Sequence, residues 1–176
     1  MKNNKILIIG FGNMGLSHFN SFVKKNFIIH IVEKKNNEKI INLKKHKLFN
    51  KKIFIFKNIQ PNQKYLLVIS ATTSKERLYL IKKFFKNNKT QYLLLEKFCF
   101  SSISQFNEFK KKYSQYTKTF VNSWGNILAK KIGLKKKNLD SFLIKCTVKE
   151  GNLLGNITHI LHFFSYLNNT NNHYSD

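Results

Sequence analysis

Three glycines lie close together near the beginning of the sequence, in the segment Gly10-Phe11-Gly12-Asn13-Met14-Gly15. An apolar run precedes this segment and a stretch that favours a helix follows it, so the spacing G-x-G-x-x-G stands where a strand turns into a helix. The first glycine then allows a tight turn, the second lets the main chain approach a diphosphate, and the third lets the helix pack closely on the strand. The first N–H groups of the helix, at the positive end of its dipole, would bind the phosphates. We therefore predict that residues 10–15 bind the diphosphate of a dinucleotide; the alternative is a turn with a purely structural role.

A carboxylate follows eighteen residues after the last of these glycines. Glu33 ends an apolar run and can accept hydrogen bonds from both hydroxyls of an adenosine ribose, which favours NAD and repels the 2′-phosphate of NADP. Lys34 and Lys35 come directly after it, and their charge could tolerate that phosphate. We therefore place Glu33 and Lys34 in the cofactor site, with NAD as the cofactor and NADP as the alternative.

Two more polar segments follow apolar runs, Ala71-Thr72-Thr73 and Glu96-Lys97. Ligands of parallel sheets bind at the carboxyl ends of the strands, so both segments are predicted to line the cofactor pocket. The ammonium of Lys97 could also polarise a substrate oxygen beside the nicotinamide. Taken alone, the first segment could be only a loop and the second only a surface pair.

These segments need a scaffold that brings them together, and the apolar pattern predicts one. Six short and nearly continuous apolar runs, typical of strands buried on both faces, lie at residues 5–10, 27–33, 52–56, 65–71, 92–96 and 119–122. Helical patterns lie between several of them, at residues 16–23, 74–88 and 102–116. Ser74 is predicted to cap the second of these helices, and Ile103 and Phe106 lie along one apolar face of the third. The alternation predicts an α/β fold, a Rossmann-type doubly wound parallel sheet, over residues 1–122.

The pattern changes after residue 122. A short and partly helical segment at 126–134, a strand at 139–148 and a helix at 156–167 are predicted there. We assign residues 123–176 to the beginning of a second domain. It has only about 55 residues, which is small for a domain that is stable by itself.

The formal net charge of +24 is high enough for a nucleic-acid-binding protein. Of the 32 basic residues, however, Arg77 is the one arginine, and base readout and phosphate clamping favour arginine. The lysines are scattered along the chain, and the abundant Lys, Asn, Ile and Phe share A/T-rich codons. We therefore predict no nucleic-acid partner and a solvated, lysine-rich surface.

Cys99 and Cys146 are too few for a disulfide framework and lack the spacing of zinc ligands. The longest apolar runs are far shorter than the ~20 residues of a transmembrane helix. The apolar part of the amino terminus is also too short for a signal peptide. These features predict a cytoplasmic protein that has no membrane partner and binds no metal.

In order and spacing, these motifs resemble the Gfo/Idh/MocA family of oxidoreductases, which includes glucose–fructose oxidoreductases and inositol dehydrogenases. The matching segments are the glycine turn, Ala71-Thr72-Thr73 for the family pattern A-T-P, Glu96-Lys97-Phe98 for E-K-P, and the helix around His159. The resemblance implies a Rossmann domain followed by an α+β domain, a nicotinamide cofactor, and oxidation or reduction of a sugar, sugar nucleotide or cyclitol. It also implies that Lys97 orients the substrate, that His159 is the catalytic acid and base, and that the full-length protein forms homo-oligomers.

The sequence departs from the family pattern at several positions. Thr73 and Phe98 each replace a proline, and Arg77 replaces a frequent histidine. The second motif, commonly D-x-G-x-H, reads Gly155-Asn156-Ile157-Thr158-His159, so its acid is missing. Asn156 can still bind substrate, and some relatives that act on cell-surface sugars are similar in carrying Asn-x-x-His. Because the second domain of the family is longer, the chain is expected to be truncated. One alternative is therefore a non-catalytic nucleotide-binding remnant, and another is a basic nucleic-acid-associated protein.

Overall fold

Short runs of Ile, Leu and Val form the strands of one sheet, and amphipathic segments between them form the helices. The computed structural model describes residues 4–123, 131 and 159–163. The described strands are β1 (Lys5–Ile9), β2 (Ile28–Val32), β3 (Ile53–Phe56), β4 (Lys64–Ser70), β5 (Lys89–Leu95) and β6 (Lys118–Val121). The described α-helices are α1 (Asn13–Phe22), α2 (Glu38–Lys44), α3 (Ser74–Asn87) and α4 (Ile103–Lys112), and a 3-10 helix spans Ser114–Tyr116.

The six strands are all parallel and lie in the order β3-β2-β1-β4-β5-β6. This is the strand order of the doubly wound Rossmann fold, so the predicted fold class is confirmed. The order reverses between β1 and β4, and their register pairs Ile8 with Ile69. The segments that follow these two strands therefore leave the sheet side by side, at the point where ligands bind in this class of fold.

The central strand β1 is buried on both faces. Leu7 and Ile9 belong to one apolar cluster, which contains residues of α3 and α4, whereas Ile6 and Ile8 belong to a second cluster with residues of α1 and α2. Side chains alternate between the two faces of a strand, so a strand covered by helices on both sides needs apolar residues at every position. This explains why the apolar runs are continuous.

Two expectations about the helices are wrong, and one helix was not predicted. The helix α2 was not predicted, although Asn37 marks its beginning by accepting a hydrogen bond from the Ile40 N–H at 3.1 Å. The N-cap residue of α3 is Thr73 and not Ser74. In α4 the buried residue is Phe109, while Ile103 is 79% exposed. The ring of Phe109 packs on Phe100, with 5.2 Å between ring centroids, and belongs to the apolar cluster on this side of the sheet, so the Phe109 face of α4 is the one that covers the core.

The chain divides into two units, Met1–Val121 and Asn122–Asp176. In the second unit, Lys131 and residues 159–163 are helical, the latter as part of the helix predicted at 156–167. The rest of that helix, the strand predicted at 139–148 and nearly all of the segment at 126–134 lie outside the described residues. The predicted domains 1–122 and 123–176, with the roles assigned to them, stay a prediction. None of the described helices is both long enough and apolar enough to cross a lipid bilayer.

Candidate functional site

The turn after β1 begins with a glycine that no other residue could easily replace. Gly10 has a φ of +90°, a conformation that strains residues with a side chain. A Cβ atom at Gly10 would also lie 2.9 Å from the Cγ2 of Thr72 and 3.0 Å from the carbonyl oxygen of Ala71. The turn after β1 therefore contacts the segment after β4 directly, as the predicted cofactor site requires.

The other two glycines of the turn differ sharply in their surroundings. A Cβ atom at Gly15 would lie 2.1 Å from the carbonyl oxygen of Gly10, so the beginning of α1 packs against the turn without room for a methyl group. A Cβ atom at Gly12 would meet nothing within 4 Å. Packing inside the protein therefore explains the glycines at positions 10 and 15, but it does not explain the glycine at position 12.

Gly12 is the N-cap residue of α1, and no side chain of the described residues caps this helix end by a hydrogen bond. The first turn of α1 also carries no acidic residue. Asn13 in that turn accepts a hydrogen bond from the ammonium of Lys39 on α2, a residue that the sequence did not indicate. The helix end thus combines main-chain N–H groups, a positive dipole and a nearby ammonium, which together favour an anion.

The carboxylate of Glu33 lies beside the turn, at the end of β2. One carboxylate oxygen accepts a hydrogen bond from the N–H of Phe11 at 2.8 Å, and the other accepts one from the N–H of Lys35 at 3.0 Å. The ring of Phe11 is buried and contacts Phe19 edge-on, at 5.8 Å between centroids. Glu33 is therefore held in place by the glycine turn itself, and each of its oxygens keeps a second lone pair for another donor.

A cavity of about 400 Å³ lies at this edge of the sheet. Its lining includes predicted cofactor residues from after β1, β2 and β4, namely Gly10, Gly12, Glu33, Lys34, Ala71, Thr72 and Thr73. A larger groove of about 1070 Å³ lies at the opposite edge, where β5 begins, and none of the described residues that line it is a predicted site residue. The smaller cavity is therefore the candidate ligand site, because the predicted polar groups converge there, although its volume is smaller.

The segment after β5 carries the predicted acid–base pair. Glu96 is buried, and its carboxylate oxygen Oε1 lies 2.5 Å from Nε2 of His18 on α1. Lys97 is half-buried. The sequence did not indicate His18. A buried carboxylate needs a hydrogen-bond partner, and this requirement of Glu96 is the signal that could have pointed to a residue such as His18. The pair connects the helix that follows the glycine turn to the segment that carries Lys97.

His159 is described within the second unit, where it is buried. The hydroxyl of Ser123 lies 3.3 Å from Nδ1 of His159 and 2.7 Å from Nδ1 of His162. A hydroxyl can donate to one nitrogen and accept from the other, so Ser123 can hydrogen-bond the Nδ1 atoms of both rings at once. Asn156, the predicted substrate-binding residue, lies outside the described residues. Within the described ranges, no three His, Cys, Asp or Glu side chains gather as a metal site would require.

No protein-family model matches the sequence. A search of curated protein sequences gives no match either. Among solved structures, the chain is similar to the apo scyllo-inositol dehydrogenase of Lactobacillus casei, with a TM-score of 0.55 and 16% identity over 74% of this chain and 41% of that chain. The form of that enzyme with bound NAD(H) and scyllo-inositol gives a TM-score of 0.54. A protein of Klebsiella pneumoniae, assigned as an oxidoreductase, gives a TM-score of 0.56 at 9% identity, over 92% of this chain and 51% of that one.

The chain has the fold of these oxidoreductases. The resemblance predicted from the motifs is thereby confirmed at the level of the fold. The chain spans about two fifths of the length of the inositol dehydrogenase and about half of the Klebsiella protein.

Proposed function

We propose that this chain binds NAD(H) and forms the cofactor-binding part of an oxidoreductase. Its substrate class is a sugar, sugar nucleotide or cyclitol that carries the reacting hydroxyl or keto group, as in cell-surface polysaccharide synthesis. The observation that carries this proposal is the open space at Gly12, at the N-terminus of α1. The fold shared with an inositol dehydrogenase that binds NAD(H) gives further support.

The residues of the turn fit a dinucleotide diphosphate. Gly12 meets no protein atom where a side chain would begin, so the space beside its main chain is free for a phosphate group. The N–H groups of the first turn of α1 would donate to that group, and the helix dipole favours its negative charge. The ammonium of Lys39, bound to Asn13 in the same turn, adds a positive charge close by.

Glu33 is the proposed ribose ligand. Its two oxygens, already oriented by the N–H groups of Phe11 and Lys35, would accept hydrogen bonds from the two ribose hydroxyls. A 2′-phosphate would bring a second negative charge to the same place, so NAD is favoured over NADP. Lys34 and Lys35 are exposed beside the carboxylate, and their charges keep NADP as the alternative cofactor.

Two residues are proposed to act on the substrate. When bound, the nicotinamide supplies a hydride acceptor or donor. The ammonium of Lys97 would stabilise the negative charge that develops on the substrate oxygen. The imidazole of His159 would take up or return the hydroxyl proton, because imidazole exchanges protons near neutral pH and Ser123 holds its Nδ1 side.

Titration of the chain with NADH and NADPH, followed by quenching of protein fluorescence, tests the cofactor proposal. We expect NADH to bind more tightly than NADPH. The substitution Glu33→Ala should weaken NADH binding about 10- to 100-fold, because a hydrogen bond to a charged group contributes roughly 1.5–3 kcal/mol. Glu38→Ala is the matched control, since it removes the same charge from an exposed position in the first turn of α2. No binding of NADH, or a preference for NADPH, would contradict the assignment of NAD.

Turnover distinguishes an enzyme from the non-catalytic remnant. The chain is assayed for NADH formation with a panel of inositols, sugars and sugar nucleotides. Activity that is lost in Lys97→Ala and in His159→Ala supports the proposed roles of these two residues. NADH binding without turnover on any member of the panel would instead favour the remnant.

A further inference from the structure

The single arginine of the chain is buried at the same edge of the sheet. Arg77 lies in the first turn of α3 and is 1% exposed. One terminal nitrogen of its guanidinium lies within hydrogen-bond distance of the carbonyl oxygens of Glu96 at 2.6 Å, of Cys99 at 2.8 Å and of Phe98. Because this nitrogen carries two hydrogens, two of the three oxygens share one of them. The other terminal nitrogen donates to the carbonyl oxygen of Thr72. A buried cation is thus surrounded by main-chain oxygens from two segments, one after β4 and one after β5.

Burying this cation costs free energy, because the guanidinium loses its water. Burial lowers the pKa of the guanidinium, and Nε meets no acceptor among the described residues. A desolvated cation is tolerated only where hydrogen bonds replace its water, and here four carbonyl oxygens do so. The planar guanidinium can bridge two segments at once because its terminal nitrogens point in different directions.

The segment that Arg77 holds is the one that carries Lys97. The carbonyl oxygens of residues 96, 98 and 99 all converge on one nitrogen, so the main chain curves around Arg77 on both sides of Lys97. The chain has a single proline, Pro61, so no proline ring restricts φ in either segment. Hydrogen bonds hold these segments instead, among them those of Arg77, the contact between His18 and Glu96, and the main-chain bond from the Glu96 N–H to the Ser70 carbonyl oxygen.

We propose that Arg77 is the positioning residue of the candidate site. As a fixed internal cation it joins the segment after β4 to residues 96–99 and so determines where Lys97 stands. The functional consequence rests on the role proposed for Lys97 above. The holding role itself rests only on the hydrogen bonds of Arg77.

The native thiol of Cys99 reports on this segment. Cys99 is half-buried, burial raises the pKa of its thiol, and its own carbonyl oxygen accepts from Arg77. In a Cys146→Ser background, Cys99 is the one thiol left. Because Arg77 itself lowers the pKa of this thiol, its alkylation by iodoacetamide is followed across pH and expressed per thiolate, so that the rate reports how exposed the segment leaves Cys99. The rate is measured on the folded 176-residue chain by mass spectrometry.

Three variants are compared in this background. Arg77→Met keeps a long side chain without the charge, and we expect Cys99 to react about tenfold faster or more, because four carbonyl oxygens lose their donor. Arg77→Lys keeps the cation but has one nitrogen in place of the two that bridge the segments, so we expect Cys99 to react a few-fold faster than in the parent and more slowly than in Arg77→Met. Phe84→Leu is the matched control: it loosens the core two turns further along α3, where the Phe84 ring contacts Tyr65 and Phe85, and should leave the Cys99 rate near the parent value.

An unchanged Cys99 rate in Arg77→Met would overturn the proposal. Equal acceleration in Phe84→Leu would also overturn it, because the effect would then be one of general stability. If Arg77→Met does not fold, Arg77→Lys decides the proposal: a Cys99 rate faster than in Phe84→Leu supports the holding role, and a rate equal to that of Phe84→Leu overturns it. NADH titration of the parent tests the proposed function separately: a chain that binds no NADH but shows the expected Cys99 rates refutes the function and supports the holding role of Arg77.

Discussion

Two alanine substitutions, three residues apart in the same turn, should have opposite effects. Gly12→Ala places a methyl group where no protein atom lies within 4 Å, whereas Gly15→Ala places one 2.1 Å from the carbonyl oxygen of Gly10. The first change should affect ligand binding and leave the fold intact. The second should destabilise the fold, with any loss of binding as a consequence.

The magnitudes follow from these distances. Cβ atoms essentially never approach other atoms to less than 3.0 Å, so Gly15→Ala must move α1 or the turn by about 0.9 Å. Such overpacking costs about 1–3 kcal/mol, and the rigid main-chain oxygen on the other side favours the upper end of that range. At Gly12, φ is −74° and ψ is −158°, which alanine also adopts, so the free energy of unfolding should change by less than about 1 kcal/mol.

The loss of binding in Gly12→Ala is estimated from the contacts that the methyl group would prevent. One or two N–H to phosphate hydrogen bonds, at roughly 1.5–3 kcal/mol each, correspond to an NADH affinity at least about tenfold lower. Urea unfolding measures stability, and fluorescence titration measures NADH affinity, for both variants and the parent. Unchanged affinity in Gly12→Ala would show that the open space does not receive the cofactor. Unchanged stability in Gly15→Ala would show that the close contact with Gly10 is not what excludes a side chain.

Two further predictions concern stability. Burial lowers the pKa of His30 from 6.5 to about 4, so between these pH values the unfolded chain binds more protons than the native chain. Lowering the pH therefore destabilises the native state, and the free energy of unfolding should drop by about 2 kcal/mol from pH 7 to pH 5. His30→Gln should remove this part of the pH dependence in urea unfolding, and equal slopes for parent and variant would contradict the assignment. Asn88→Ala should lower the free energy of unfolding by about 1–3 kcal/mol, because the buried Asn88 side chain accepts from the Gln63 N–H at 2.8 Å and donates to the Phe84 carbonyl oxygen at 3.1 Å. The exposed Asn87→Ala is its control, and an equal loss there would argue against these hydrogen bonds as the cause.

The parallel sheet was predictable because each strand carries its own signal. A strand buried on both faces must be apolar at nearly every position, and this requirement is visible in the residues themselves. The strand ends lie within one residue of the prediction, except that β5 begins at Lys89, three residues before position 92. The residues from Lys89 to Gln91 are polar. They belong to β5 because their main chain pairs with β4, and main-chain pairing needs no apolar side chain. The short helix α2 escaped prediction because its two buried residues, Ile40 and Leu43, are too few to establish a period.

The sequence by itself also predicts that the first turn binds a dinucleotide diphosphate, because the three glycines and the following helix are consecutive in the chain. It did not show why each glycine is needed. Gly15 packs against Gly10 whereas Gly12 faces open space, and this difference depends on how the turn folds back on itself. The connections around Lys97 were decided by the tertiary structure alone. His18 and Glu96 are 78 residues apart, and Arg77 reaches carbonyl oxygens 5 to 22 residues away. Main-chain oxygens are the same in every residue, so no pattern of side chains shows which of them a buried guanidinium will meet; that depends on which strand ends the parallel sheet brings together.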